Sequence, residues 1–100
     1  MRVDFNRVLL GFDGMALQDS GKDINLRTLC CNALMIVTNE ETTLPGEEKF
    51  KRFELASIIH SSKENCDLKV EDIALLKTMV GKYYGPAVVG PAWKLLEGGE

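Results

Sequence analysis

The sequence predicts an α+β domain, mostly helical, with three to four helices, a short N-terminal β-hairpin and a possible two-stranded mini-sheet. Three observations carry that expectation. Beyond residue 25, apolar residues recur at helical spacing in separate blocks. Glycine and proline stand between or beside those blocks, at Pro45-Gly46, Gly85-Pro86 and Gly90-Pro91. Before residue 25 the chain instead carries Asp13-Gly14 and a second polar, glycine-containing stretch, both of them turn signals. One hundred residues make one ordinary domain, 1–100, because a second core does not fit in that length.

The N-terminal segment 3–10 reads as extended. Asp13-Gly14, between Phe12 and Met15, favours a two-residue hairpin turn, since both residue types tolerate positive φ. Residues 18–22 read as a polar turn. The clearest helix is expected over residues 26–37. Leu26, Leu29, Cys30, Ala33, Leu34, Ile36 and Val37 share one broad face there, and Asn25 can cap its first turn. Residues 38–46 read as an acidic loop ending in a Pro-Gly stop.

A second helix is expected over residues 47–62. Glu47 and Glu48 open it and suit the positive end of its dipole. Its apolar residues make no single stripe: Phe50, Phe53 and Ala56 lie to one side, and Leu55, Ile58 and Ile59 nearly opposite. Such a helix is either sandwiched between two layers or offers one apolar side to a partner. The small size of the domain makes the sandwich the expectation. A third helix over 70–84 turns Ile73, Leu76, Val80 and Tyr83 inward. Leu68 and Ile73 match a hydrophobic staple, and Gly85 is placed as a C′ stop with Pro86 behind it. A last short helix is expected over 91–97, with Pro91 at its permitted first position and Trp93 and Leu96 as anchors. The final residues, 98–100, are expected to fray. Asp23-Ile24-Asn25-Leu26 echoes Asp67-Leu68-Lys69-Val70, which suggests two extended pieces pairing side by side, each leading into a helix.

Composition narrows the function. Apolar residues are 45% and charged residues 27%, which is globular rather than disordered. The net charge of −3 argues against direct binding to nucleic acid, whose phosphates select basic surfaces. No apolar run approaches the ~20 residues that span a bilayer. The first ten residues include Asp4, Asn6 and Arg7, unlike a signal peptide. A cytoplasmic location without membrane contact is therefore expected. Adjacent Cys30 and Cys31 plus a distant Cys66 make an odd count and no disulfide framework.

Catalytic and metal motifs are sparse. His60 has no second histidine nearby, and adjacent cysteines do not form the usual zinc knuckle. Cys30 sits on an apolar face, where a thiol is inert; Cys31 and His60 are expected to be partly exposed. Asp13, Asp19 and Asp23 fail as a calcium loop, because Met15 and Leu17 occupy would-be ligand positions. No nucleotide-binding glycine motif occurs. No enzymatic activity, metal or cofactor is expected.

Two surface features remain. Glu40, Glu41, Glu47 and Glu48 form an acidic cluster that can imitate a phosphate backbone or simply be a solvated loop and a dipole-matched helix start. Lys49, Lys51 and Arg52 follow on the same helix and complete a mixed-charge region of the kind that steers association. Tyr84 is the exposed member of the Tyr83-Tyr84 pair and a candidate anchor. Glu40, Glu41, Glu47, Glu48, Lys51, Arg52 and Tyr84 are thus the candidate partner-binding residues.

The stretch 46–56 (Gly-Glu-Glu-Lys-Phe-Lys-Arg-Phe-Glu-Leu-Ala), the stretch 71–77 (Glu-Asp-Ile-Ala-Leu-Leu-Lys) and the stretch 88–97, with its Trp93 and Leu95-Leu96-Glu97, resemble small phage and prophage proteins of proteobacteria. Within that group the chain is most similar to the type I-F anti-CRISPR inhibitors. The resemblance implies a monomeric, stoichiometric inhibitor in the host bacterial cytoplasm. Its partner would be the CRISPR RNA-guided surveillance complex and its Cas subunits, and its effect would be to block target DNA. A tail-assembly chaperone or other virion-morphogenesis protein is the alternative that the same resemblance implies.

Overall fold

The computed structural model describes residues 2–36, 44–63 and 65–97. The chain is an α+β domain, mostly helical, with two small antiparallel sheets. In order, the elements are β1 (Arg2–Asp4), β2 (Gln18–Asp19), β3 (Lys22–Asp23), α1 (Leu26–Met35), α2 (Gly46–Ser61), β4 (Asn65–Asp67), α3 (Val70–Tyr83) and α4 (Pro86–Leu96). Helix α1 is central: it packs against α2 and α3, and α4 closes onto α3 and β1.

The N-terminal region holds two turns of different kinds. Around Asp13-Gly14 the loop has three residues, not two. Gly11 N–H donates to Met15 O at 2.8 Å, Gly14 N–H donates to Gly11 O at 2.9 Å, and Gly14 alone takes positive φ, +82°. Asp13 stays in ordinary backbone and accepts the Met15 N–H with its side chain at 3.0 Å. This is a type I turn closed by a left-handed glycine, the next commonest hairpin solution. The two-residue turn lies further on, where Ser20 (φ 54°) and Gly21 (φ 81°) join β2 to β3. Both being left-handed matches the twist of the strands they join. The three segments of this region bond in a ring: Leu9 N–H to Ile24 O, Ile24 N–H to Leu17 O, and Leu17 N–H to Leu9 O, each at 2.8–2.9 Å. The ring satisfies backbone groups beside the core while Leu9 is buried and Leu17 and Ile24 pack against it.

The two echoing segments do each enter a helix, but they do not pair with each other. Asp23 of β3 pairs with Gln18, whereas β4 pairs with β1 in the register Arg2↔Asp67, Val3↔Cys66 and Asp4↔Asn65. That register places Val3 and Cys66 together on the inner face, at 1% and 6% exposure.

Asn25 caps α1 as expected, its side chain accepting the Thr28 N–H at 2.8 Å. Leu26, Leu29, Cys30, Ala33 and Leu34 are buried along that helix. They meet Leu55, Ala56 and Ile59 of α2, Ile73, Leu76, Met79 and Val80 of α3, and Ala92 and Leu96 of α4 in one core, joined by Val3, Phe5 and Leu9. Full burial of each large side chain contributes about 1.5–3 kcal/mol.

Helix α2 is not sandwiched. It buries a narrow stripe, Arg52, Leu55, Ala56 and Ile59, and leaves Phe50, Phe53 and Ile58 exposed. Its C-terminal end is held by Arg27 of α1. The guanidinium donates from Nε to Ile59 O at 3.1 Å, from Nη2 to Ser62 O, and from Nη1 to Asn6 Oδ1. Asn6 in turn donates to Lys63 O at 2.8 Å. A fixed cation on the last carbonyls of a helix answers both its unpaired acceptors and its dipole.

Helix α3 begins at Lys69 without a side-chain cap, and Glu71 and Asp72 in its first turn supply the favourable charge instead. Leu68 and Ile73 are both buried, in keeping with a staple. Its end departs from expectation. Tyr84 is the C-cap, and Gly85 has φ −85°, so Gly85 is not a left-handed stop but the N-cap of α4. Pro86, not Pro91, takes the first turn of that helix, and Pro91 lies inside it. Gly90 makes this tolerable, because a residue before proline resists helical backbone chiefly through its Cβ, which glycine lacks. Trp93 anchors α4 from a partly exposed position. Its Nε1 donates to Lys77 O at 3.2 Å, and its ring lies over Gly81, where a Cβ would stand 3.3 Å from the indole. The Lys77 ammonium sits 5.2 Å from the ring centre and 2.7 Å from Glu97 Oε1.

Candidate functional site

The surface richest in recognition chemistry is the outer side of α2. A helix packed by one narrow stripe turns the rest of its circumference outward. Phe50 and Phe53, three residues apart, therefore face solvent at 62% and 54% exposure, and Ile58 flanks them at 52%. Glu47, Glu48, Lys49, Lys51 and Glu54 are exposed around them. Two phenylalanines within a field of both charge signs make an apolar centre with a polar rim, the anatomy of a protein-binding patch.

The candidate residues named from sequence fall in different places. Glu47 and Glu48 are exposed in the first turn of α2, and Lys51 is exposed one turn on. Glu40 and Glu41 lie outside the described residues. Arg52 is buried, at 7% exposure, within the stripe that faces α1. It is thus part of the inner packing of α2 and not of its solvated charge field. A cation inside a run of charges reads as surface in a sequence, and only the phase of the helix separates it from Lys51. Tyr84 is half-buried at the far end of α3. Burial raises the pKa of its hydroxyl, with Cys30 and Asp19 adding to the rise, so its neighbours are α1 and the hairpin region rather than α2. Glu47, Glu48 and Lys51 therefore share a surface, and Tyr84 does not join them.

Sequence reasoning had Phe50 and Phe53 on one side of the helix but gave that side to the interior. The pattern of α2 does not separate its two sides: it is α1, packed against both α2 and α3, that takes the central position, and only that packing turns Phe50 and Phe53 outward.

Groups with reactive potential are quenched by their settings. Cys30 is fully buried, and desolvation, with the adjacent Cys31 adding to it, pushes its pKa up to about 12. Burial likewise raises Cys31, with Arg27 opposing, and Cys66. All are free thiols held in the protonated, non-nucleophilic form. The Cys31 thiol points at Ala56 O, 3.5 Å away, and so links α1 to α2. Among the described residues, no group of three or more His, Cys, Asp or Glu side chains is placed to hold a metal ion. None of the described helices is long and apolar enough to cross a membrane.

No family model, no curated protein and no solved structure matches the chain.

Proposed function

We propose that the chain works by binding another protein through the outer face of α2, and that this partner is a type I-F CRISPR surveillance complex whose access to target DNA it blocks. The observation that carries the binding mode is the exposure of Phe50, Phe53 and Ile58 inside the charge field of Glu47, Glu48, Lys51 and Glu54. Aromatic anchors surrounded by charge supply affinity at the centre and steering at the rim. The identity of the partner rests on the sequence resemblance. A net charge of −3 suits an inhibitor that competes with nucleic acid for a basic groove.

Purified chain should co-elute with the surveillance complex and abolish its binding to a matched DNA duplex. The double variant Phe50→Ser, Phe53→Ser should lose that co-elution by about a hundredfold or more in affinity while melting within a few degrees of the wild type, because both side chains are more than half exposed. A Glu40→Lys, Glu41→Lys variant tests whether these acidic residues share the contact: melting should hold and affinity should fall. Normal DNA binding at saturating inhibitor would refute the assignment of the partner. Unchanged affinity in the phenylalanine variant would refute the surface. Loss of particle assembly on deleting the gene from a phage grown in a host without CRISPR would instead assign a morphogenesis role.

A further inference from the structure

A second surface, away from the face of α2, carries both halves of a contact. Between the tip of the first hairpin and the N-terminal half of α4 runs an open groove of about 410 Å³. Pro86, Ala87, Gly90 and Pro91 form one wall, and Leu10 and Phe12 the other. The α4 wall is low because its residues are small or ring-closed, and a Cβ added at Gly90 would meet nothing within 4 Å. Phe12 stands at the rim with its side chain wholly exposed, at 103%, and Leu10 and Met15 beside it are 54% and 69% exposed. An aromatic ring left fully in water next to a shallow apolar groove is a knob beside a hole.

We propose that the occupant of this groove is Phe12 of a second copy of the chain, in a closed two-fold dimer. The first reason is position. When knob and hole lie side by side on one patch, a two-fold axis seats each knob in the other copy's hole with a single rotation, and the contact closes on itself. The second reason is charge. Asp13 adjoins the knob and Lys94 lines the end of the hole, both exposed. The same rotation that seats Phe12 brings Asp13 of each copy toward Lys94 of the other, so the two opposite charges pair across the axis twice. The third reason is size. A low floor of proline, alanine and glycine accepts a flat ring closely, and Leu10 and Met15 extend the apolar cover around it. This dimer replaces the monomer expected from the resemblance, and it leaves the outer face of α2 free.

The test is sedimentation equilibrium of the 100-residue chain over a dilution series. The mass should rise from 11.1 kDa toward twice that value with concentration. Phe12→Ser and Ala87→Leu should each weaken dimerisation by about tenfold or more, with melting unchanged, since both positions are exposed in the single chain. Ala87→Leu fills the groove and leaves every hairpin residue unchanged, so it decides the matter if Phe12→Ser disturbs the turn. Lys94→Asp should also weaken the dimer, because two acidic groups then face each other across the axis. A single-chain mass at every concentration up to ~1 mM would overturn the proposal. So would a dimer indifferent to both Phe12→Ser and Ala87→Leu, or a mass that grows past two chains.

Discussion

Replacing Arg27 by alanine removes the clasp between α1, the end of α2 and the N-terminal loop. Four acceptors lose their cation: Ile59 O at 3.1 Å, Ser62 O, Ser62 Oγ at 3.4 Å and Asn6 Oδ1. A hydrogen bond to a charged group contributes roughly 1.5–3 kcal/mol when shielded. The bonds to Ile59 and Ser62 are part-buried and the one to Asn6 is exposed, so the first two carry most of the effect. Water can reach the abandoned carbonyls, which lowers the cost. The expected loss is about 2–3 kcal/mol, equivalent to a fall in melting temperature of roughly 10–20 °C for a domain of this size. Arg27→Lys should recover about half, because an ammonium reaches one acceptor where the planar fork reaches several. Urea titration followed by circular dichroism measures the difference, with the slope expected to stay constant. A loss below about 0.5 kcal/mol, the range of ordinary surface changes, would show that the clasp is ornamental and that α2 is held by its apolar stripe alone.

Leu76→Ala, at a fully buried site in α3, should cost about 2–5 kcal/mol by calorimetry or chemical denaturation, from lost transfer energy and the cavity left behind. Gly21→Ala should destabilise by about 1 kcal/mol or more although a Cβ there meets nothing within 4 Å, because φ is +81°. Gly46→Ala, also in open space and without positive φ, should instead be neutral or stabilising, and equal effects at the two positions would refute the backbone explanation. The Cys30 thiol has a folded pKa near 12 against an ordinary value near 9, so the native state keeps its proton while the unfolded state gives it up. Its contribution is complete below pH 9 and is lost as pH rises toward 12, at up to about 1.4 kcal/mol per pH unit. Cys30→Ala should flatten that alkaline slope in a pH series of urea melts, while Cys31, Cys66 and Tyr84 leave a residual one.

Where a local rule had a single candidate, the sequence was readable. Asn25 was the lone capping residue before a clean apolar face, and α1 begins there with Asn25 bonded to Thr28. Where two residues competed for one role, pattern failed. Pro86 and Pro91 each follow a glycine, and the helix start went to the earlier one because Gly90 allows the chain to stay helical through Pro91. Asp13-Gly14 and Ser20-Gly21 competed in the same way for the two-residue turn. Long-range features left no local trace. Nothing near Arg2 announces Asp67, and nothing in Leu26-Arg27-Thr28 announces that Arg27 reaches the end of α2. The candidate site was half legible. The charges at Glu47, Glu48 and Lys51 were found by type, but the aromatic centre at Phe50 and Phe53 depended on which side of α2 meets α1, and that is a tertiary choice.

The pairing of β1 with β4 also sets an order of events in time. During synthesis Arg2–Asp4 leaves the ribosome well before its partner strand, which ends at Asp67. At roughly 5–20 residues per second, the interval lasts on the order of several seconds. Throughout it, Val3 and Phe5, which end at 1% and 0% exposure, have no strand to lie against. Helices α1 and α2 meet through neighbouring stretches of chain and can form their contact earlier. A nascent chain halted before Asn65 therefore displays Val3 and Phe5 bare beside a packed pair of helices. The strand made earlier waits for the strand made later before its side chains are sheltered.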